Sequence, residues 1–413
     1  MNHVHLHEDF PTLPGLRARA VIDTRALIAN YHAIMTPIRA VSPHTMPIAV
    51  VKADAYGHGI RPVVGALLGE GCRSFAVACL EEAVALRRLL RELTREPDSA
   101  TDILILGYSA PENAAILARY TVTATLISED YTRRLVDCAR RDGVRVKVHA
   151  ALDTGMHRVG YPAHTDEEIR ETVKTLSALF GGEGGDALIP DGLFTHFARA
   201  DEDYDTEMNR PDSLTMTQYD RYRRVLQGLT EQGIRPRFCH VCNSAAAIRF
   251  PNALPEGCLD GVRLGINLYG YGVSFPHGPT AHTAPVMKLE TVVTHTHTLP
   301  VGETVGYGGS FSADTPRTLA TLPVGYADGW IRDLSGAEIT FHTPVGDVTA
   351  PIVGRICMDQ CMADVTGLPV TVGTRVTLFG ETSDQLKALA RRAHTITYEL
   401  LCLITARIPR VYD

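Results

Sequence analysis

Residues 47–59 read PIAVVKADAYGHG, and this stretch sets the architecture. Four apolar residues, Ile48 to Val51, run without a break into one lysine, Lys52, and a loop containing glycine and tyrosine follows. An unbroken apolar run of this length suits a strand buried on both faces. A lysine at the tip of such a strand loses part of its water shell, which lowers its pKa and makes the amine a better nucleophile and base. Lysines in that state form Schiff bases with carbonyl compounds, pyridoxal phosphate among them. Alone, Lys52 reads more simply as a strand-end lysine that snorkels to solvent. The rest of the chain decides between the two.

Outward from this strand, seven more strand-like segments follow, at 74–79, 102–106, 121–127, 145–150, 192–197, 237–241 and 261–264. Between them lie amphipathic stretches such as 81–93, 111–120, 129–141, 166–180 and 214–232, with apolar residues at i, i+3 and i+4. Pro111 followed by Glu112 suits a helix start, and Gly143 after Arg140 and Arg141 suits a stop. Eight strands alternating with helices imply a closed parallel (β/α)8 barrel of the TIM type. An open doubly wound sheet would want a G-x-G-x-x-G turn after the first strand, and none is there. From Val286 to Phe379 the pattern changes to short alternating strands broken by glycine and proline, the mark of a mainly-β domain. The expected organisation is a flexible N-terminus over 1–14, a barrel over 15–284 and a β-rich domain over 285–413, with helices at 383–393 and near 397–403.

The 413 residues carry a net charge of -7, with 45% hydrophobic and 21% charged residues. That describes an ordinary globular protein and argues against a nucleic-acid partner. No apolar run approaches the roughly 18 residues of a membrane helix, and the N-terminus lacks a basic start and apolar stretch typical of a secretory signal. Nine scattered cysteines suit a reducing cytoplasm better than a disulfide framework. Cys239 and Cys242 form a lone C-x-x-C inside an apolar segment, which reads as structural rather than as a metal site. His3, His5 and His7 read as incidental, so no metal is expected. Of the polar loops 181–186 and 200–212 at the expected barrel mouth, the second is acidic and reads as a solvated loop.

On a barrel the residues just after each strand gather on one face, where the chemistry is done. LDTGMHRVG brings Arg158 there, FTHFARAD brings His196, HVCNSAAA brings Ser244, and VRLGINLYG brings Arg263, Gly265 and Ile266. Ser244 at a helix start and Gly265 in a turn suit an anion site, where backbone N–H groups and a hydroxyl point at a phosphate. Ser244 as a plain helix cap and His196 as a satisfied structural histidine are the other readings.

These segments, together with VGYGGSF, PVGYADG and GRICMDQ, resemble the alanine racemase family in order over roughly residues 15–413. The resemblance implies pyridoxal 5'-phosphate held as a Schiff base on Lys52. It implies phosphate contacts from Tyr56, Ser244, Gly265, Ile266 and Tyr398. Arg158 would lie near the cofactor's phenolic oxygen and the substrate carboxylate, and Arg263 on the pyridine nitrogen with His196 as its partner. Tyr307 would be the second catalytic base, Tyr326 a gate, and Met358 and Asp359 contacts on the substrate side. In the family the catalytic tyrosine and the Met-Asp pair, here Tyr307, Met358 and Asp359, come from the partner subunit, implying a head-to-tail homodimer with composite sites.

The chemistry explains the residue types. Racemisation removes an α-proton and returns one to the other face, so an electron sink and two bases are wanted. Arginine holds its proton with a pKa above about 12, so Arg263 would donate to the pyridine nitrogen without protonating it, which favours quick return of the proton over transamination. Two positions depart from the family pattern. Ala151 stands where many relatives carry a lysine, often carbamylated, and His157 stands where many have glycine. The expected activity is interconversion of L- and D-alanine, supplying D-alanine for bacterial peptidoglycan. Serine or broader amino-acid racemisation, a decarboxylase on the same barrel, and a non-catalytic cofactor-binding protein are the rivals. Arg263 speaks against the decarboxylase, and the intact C-terminal domain against the last.

Overall fold

The computed structural model describes residues 15, 17–182, 184–202, 212–249, 260–272 and 281–413. The N-terminal segment 1–14 and most of the acidic loop 200–212 lie outside the described residues. Eight parallel strands make the barrel. They are β1 (Met46–Val50), β2 (Ser74–Val77), β3 (Asp102–Ile105), β4 (Ala124–Leu126), β5 (Val146–Asp153), β6 (Leu188–Phe194), β7 (Phe238–His240) and β8 (Gly261–Leu264). Two runs, β8-β1-β2-β3 and β4-β5-β6-β7, are joined at two seams. At one, Ile105 N donates to Thr123 O and Thr123 N to Ile103 O, at 3.0 and 2.8 Å. At the other, Asp260 N donates to Cys239 O and Arg263 N to Cys242 O, at 2.9 and 3.0 Å. Every residue of β2 and β8 is buried, as expected of strands covered by helices outside and packed side chains inside. Cys239 and Cys242 are buried at β7.

The connecting helices start and stop where local chemistry directs. Ser128 Oγ accepts from Tyr131 N at the head of Glu129–Asp142, and Gly143 ends that helix in the left-handed region at φ 65°. Thr165 and Glu168 form a capping box for Asp166–Phe180. Residues 111–120 begin as the 3-10 turn Pro111–Asn113 before the helix Ala114–Arg119.

The second domain is a nine-stranded sheet. Strand Ala18–Ile22 lies within it, antiparallel to Met287–Val292 and parallel to Arg410–Tyr412. Residues 18–22, which the boundary at 15 assigned to the barrel, thus belong to the β sheet. They alternate buried and half-buried, but their partners lie at the far end of the chain, so nothing local marks the pairing. One hydrophobic core runs through both domains, and a separate small cluster of Leu299, Val305, Ala313, Leu319 and Val353 sits under the hairpin that carries Tyr307. Among the described residues no helix is long and apolar enough to cross a membrane.

Candidate active site

Lys52 ends β1, and the backbone then turns the wrong way for L-amino acids. Ala53, Asp54, Ala55 and Tyr56 all have φ between 51° and 55°, and Gly57 follows at φ 78°. Consecutive left-handed residues cost about 1–2 kcal/mol each, so surrounding bonds must impose the turn. Glu82 accepts from Ala53 N and from Ala78 N, at 2.6 and 2.8 Å. Asp54 Oδ1 accepts from Ile60 N at 2.7 Å. The buried His58 ring donates through Nδ1 toward Ala55 O and Tyr56 O, at 3.0 and 2.9 Å. Arg410, from the last strand of the β domain, donates to Gly57 O at 2.9 Å. Gly57 is required, because a Cβ there would lie 2.6 Å from Leu401 O.

The turn delivers Lys52 and Tyr56 to a cavity of about 400 Å³ at the barrel mouth. Arg158, His196, Ser244, Arg263, Gly265, Ile266 and Tyr398 line it too. Gly265 N donates to Ser244 Oγ at 2.6 Å, and a Cβ on Gly265 would sit 3.0 Å from Tyr56 Oη and 3.1 Å from Ser244 Oγ. The two hydroxyls therefore converge on a spot only glycine leaves open. Burial pushes Tyr56 well up and Tyr398 up to about 12, so both phenols stay protonated donors. Burial, reinforced by the Arg158 charge, lowers the Lys52 amine. Burial and the charges of Arg263, Arg158 and Lys52 hold His196 neutral. Three cations thus share a cavity in which Asp201 is the acidic lining residue, an arrangement that suits an anionic ligand.

Arg263 is fully buried, and burial pushes it down to about 10. Nη1 donates to His240 Nδ1 and His240 O, at 2.6 and 3.0 Å. Nη2 donates to Thr195 O and Val241 O, at 2.7 and 2.9 Å, with His196 Nδ1 at 3.4 Å. Four of the five N–H donors an arginine carries are thereby satisfied. The fifth, on Nε, is buried without a partner. A buried orphan donor is costly, and an acceptor on a bound ligand would satisfy it.

Tyr307, Tyr326, Met358 and Asp359 do not line this cavity. Tyr307 is 71% exposed, Met358 53% and Tyr326 40%. They gather elsewhere, on one face of the β domain. The loop 354–360 touches both turns: Arg355 packs on the Tyr307 turn at Gly308, and Tyr326 N donates to Cys357 O at 3.0 Å. Asp359 pairs with Arg407 at 2.8 Å.

Beside Arg158, His157 has φ 53° and turns toward Asp153, with Nδ1 at 3.7 Å from the carboxylate. Its ring stacks on His164 at 4.6 Å and 14°, and His164 Nε2 lies 3.4 Å from the same Asp153 carboxylate. The buried Ala151 offers Arg158 no hydrogen-bonding side chain. The sequence reading passed over His149, Asp191, His240 and Arg410, whose only signal was a polar residue inside an apolar strand.

Fold and site together define a class: two-domain barrel enzymes whose mouth joins an amine nucleophile to an anion cradle. Within it, residues 22–273 match the family model "Alanine racemase, N-terminal domain" and residues 286–412 match "Alanine racemase, C-terminal domain". Alanine racemase 1 of Clostridium acetobutylicum is 37% identical over 386 residues, covering 92% of each chain. The crystal structure of alanine racemase from Bacillus anthracis with bound L-Ala-P has a TM-score of 0.81 at 31% identity, covering 97% of this chain and 96% of that one. The Clostridium difficile 630 alanine racemase in complex with cycloserine has a TM-score of 0.79 at 29% identity, covering 97% and 96%. The chain belongs to the alanine racemase family.

Proposed function

We propose that this chain interconverts L- and D-alanine with pyridoxal 5'-phosphate, and that the unpartnered Nε of Arg263, in a cationic cavity with Lys52, is the observation that carries the reading. The residues fit that cofactor. Tyr56, Ser244, Gly265, Ile266 and Tyr398 would hold its phosphate, Arg263 Nε would donate to its ring nitrogen with His196 alongside, and the Lys52 amine would be the group to engage its carbonyl carbon. When bound, the cofactor supplies an electron sink that acidifies the α-proton of an amino acid joined to it.

The chain's own groups then move the proton. The Lys52 amine, desolvated and lowered, takes or returns it on one face. Tyr307 serves the other face. Because Tyr307, Tyr326, Met358 and Asp359 lie on an exposed patch away from their own chain's cavity, we infer that a second copy presents them, in a head-to-tail homodimer with two composite sites. Arg158, without a hydrogen bond or ion pair among the described residues, is available for the substrate carboxylate. Arg263 keeps its proton at neutral pH even when pushed down to about 10, so it would donate a hydrogen bond to a ring nitrogen without giving up the proton, which would favour return of a proton to the α-carbon. The described cysteines are all free, which suits action in a reducing cytoplasm, where D-alanine would feed peptidoglycan.

The test is direct. Purified protein given the cofactor should show a visible band that borohydride fixes on Lys52, and should convert L-alanine to the D form. A yellow protein that leaves L-alanine unchanged sinks the proposal, and the same assay on L-serine measures how strictly the pocket rejects a hydroxyl.

A further inference from the structure

We propose that Asp191, in the middle of β6, is a positioning residue for Arg263, acting through His149 and His240 in a chain of hydrogen bonds that threads the barrel core. Arg263 Nη1 lies 2.6 Å from His240 Nδ1. His240 Nε2 lies 3.1 Å from His149 Nδ1. His149 Nε2 lies 3.3 Å from Asp191 Oδ2. All four residues are buried.

The chain admits one proton arrangement. A guanidinium only donates, so His240 Nδ1 accepts and its proton sits on Nε2. That N–H donates to His149 Nδ1, which puts the His149 proton on Nε2, facing a carboxylate that only accepts. Both ends impose the same direction. Burial holds both imidazoles below their ordinary range, His240 further beside the Arg263 charge, so each carries one proton. Arg237 and Lys147 fix the acceptor end: Arg237 grips both Asp191 oxygens, at 2.5 and 2.7 Å, and Lys147 Nζ stands 3.3 Å from Oδ2. Despite burial, their charges and the His149 bond hold Asp191 ionised. With Nη1 saturated in this way, the Arg263 plane is set and Nε alone is left for a ligand.

The functional consequence rests on the reading of Arg263 above, but the tautomers do not. In full-length protein labelled with 15N-histidine, without cofactor, His149 and His240 should both show a bare Nδ1 and a protonated Nε2. Asp191→Asn should move the His240 nitrogen signals, two links away. It should also weaken pyridoxal phosphate binding about tenfold and shift its absorption band, because a buried donor is left mismatched. If Asp191→Asn does not fold, His149→Phe keeps the ring volume and Asp191's cations, and should give the same loss. Unchanged His240 signals in Asp191→Asn or His149→Phe overturn the chain. Moved signals with unchanged cofactor affinity and band overturn the positioning role. A wild-type protein that shows these tautomers but binds no cofactor would refute the proposed function and leave the chain standing.

Discussion

The barrel mouth and the β-domain face are built to different standards. At the mouth, Lys52, Tyr56, Ser244 and Arg263 sit on cross-bonded backbone: a left-handed turn held from four directions and a buried guanidinium with four donors satisfied. On the β domain, Tyr307 rides a hairpin turn with its ring mostly in solvent. The first is cross-bonded within its own chain. The second stands open to solvent. Under the proposed function, the cofactor end is therefore a property of one chain, and the second base a property of two.

The largest effect should come from Lys52→Ala. It removes the one amine that lines the cavity among the described residues, and racemisation should fall at least about 10⁴-fold, with the visible band displaced. Tyr307→Phe should cost about 10²–10⁴-fold in kcat while leaving the band and cofactor affinity unchanged. Mixing the two inactive variants tests the contrast itself. If sites are composite, a mixed dimer pairs the intact Lys52 of one chain with the intact Tyr307 of the other. A randomised mixture should then regain about a quarter of wild-type activity. No recovery after subunit exchange would mean that both bases act within one chain, and the contrast would collapse.

His58 sharpens the claim that the mouth is set by buried bonds. Burial lowers it to about 4 from an unfolded value near 6.5, although its bonds to Tyr56 O and Ala55 O pull the other way. The folded pKa is the depressed one. Stability from the neutral ring is therefore full above pH 6.5 and is lost as pH falls from there toward 4, by up to about 3 kcal/mol. His58→Phe keeps the ring contact with Tyr269 but drops the donor to two carbonyls, so it should cost about 1–3 kcal/mol at pH 7.5. Chemical denaturation across pH should find the variant's deficit shrinking on acidification. A constant deficit would show that the neutral imidazole does not hold the turn.

The two regions also differed in how plainly the sequence spoke. The run at 48–51 announces a doubly buried strand because parallel strands covered on both faces read as near-continuous apolar runs. Gly143 and Thr165 announce helix ends through local chemistry. The handedness of residues 53–56 left no such mark. Ala and Tyr carry no bias toward positive φ and one Asp among them marks no run of four, and the turn is imposed by Glu82, His58 and Arg410, the last more than three hundred residues away. The pairing of strand 18–22 was hidden for the same reason. His196 could be placed because it follows a strand, whereas His149 and His240 sit inside strands, where a histidine says nothing of its partner. The glycines around Tyr307 mark a turn, but nothing in them names the cavity that the turn would serve.

The smallest effect should separate shape from stability at the mouth. An added methyl in Gly265→Ala would meet Tyr56 Oη at 3.0 Å and Ser244 Oγ at 3.1 Å. The hydroxyls would have to part by a few tenths of an ångström, and they are the donors aimed at the anion. Cofactor affinity should fall about tenfold, as expected when one charge-assisted bond is misaligned, with little change in unfolding free energy. Gly65→Ala is the counterpart, in helix Ile60–Gly69 with open space around an added Cβ. It should stabilise by about 0.5–1 kcal/mol and leave cofactor binding alone. If Gly265→Ala instead lowered stability and left affinity intact, the converging hydroxyls would be packing groups, and the anion would have to bind elsewhere in the cavity.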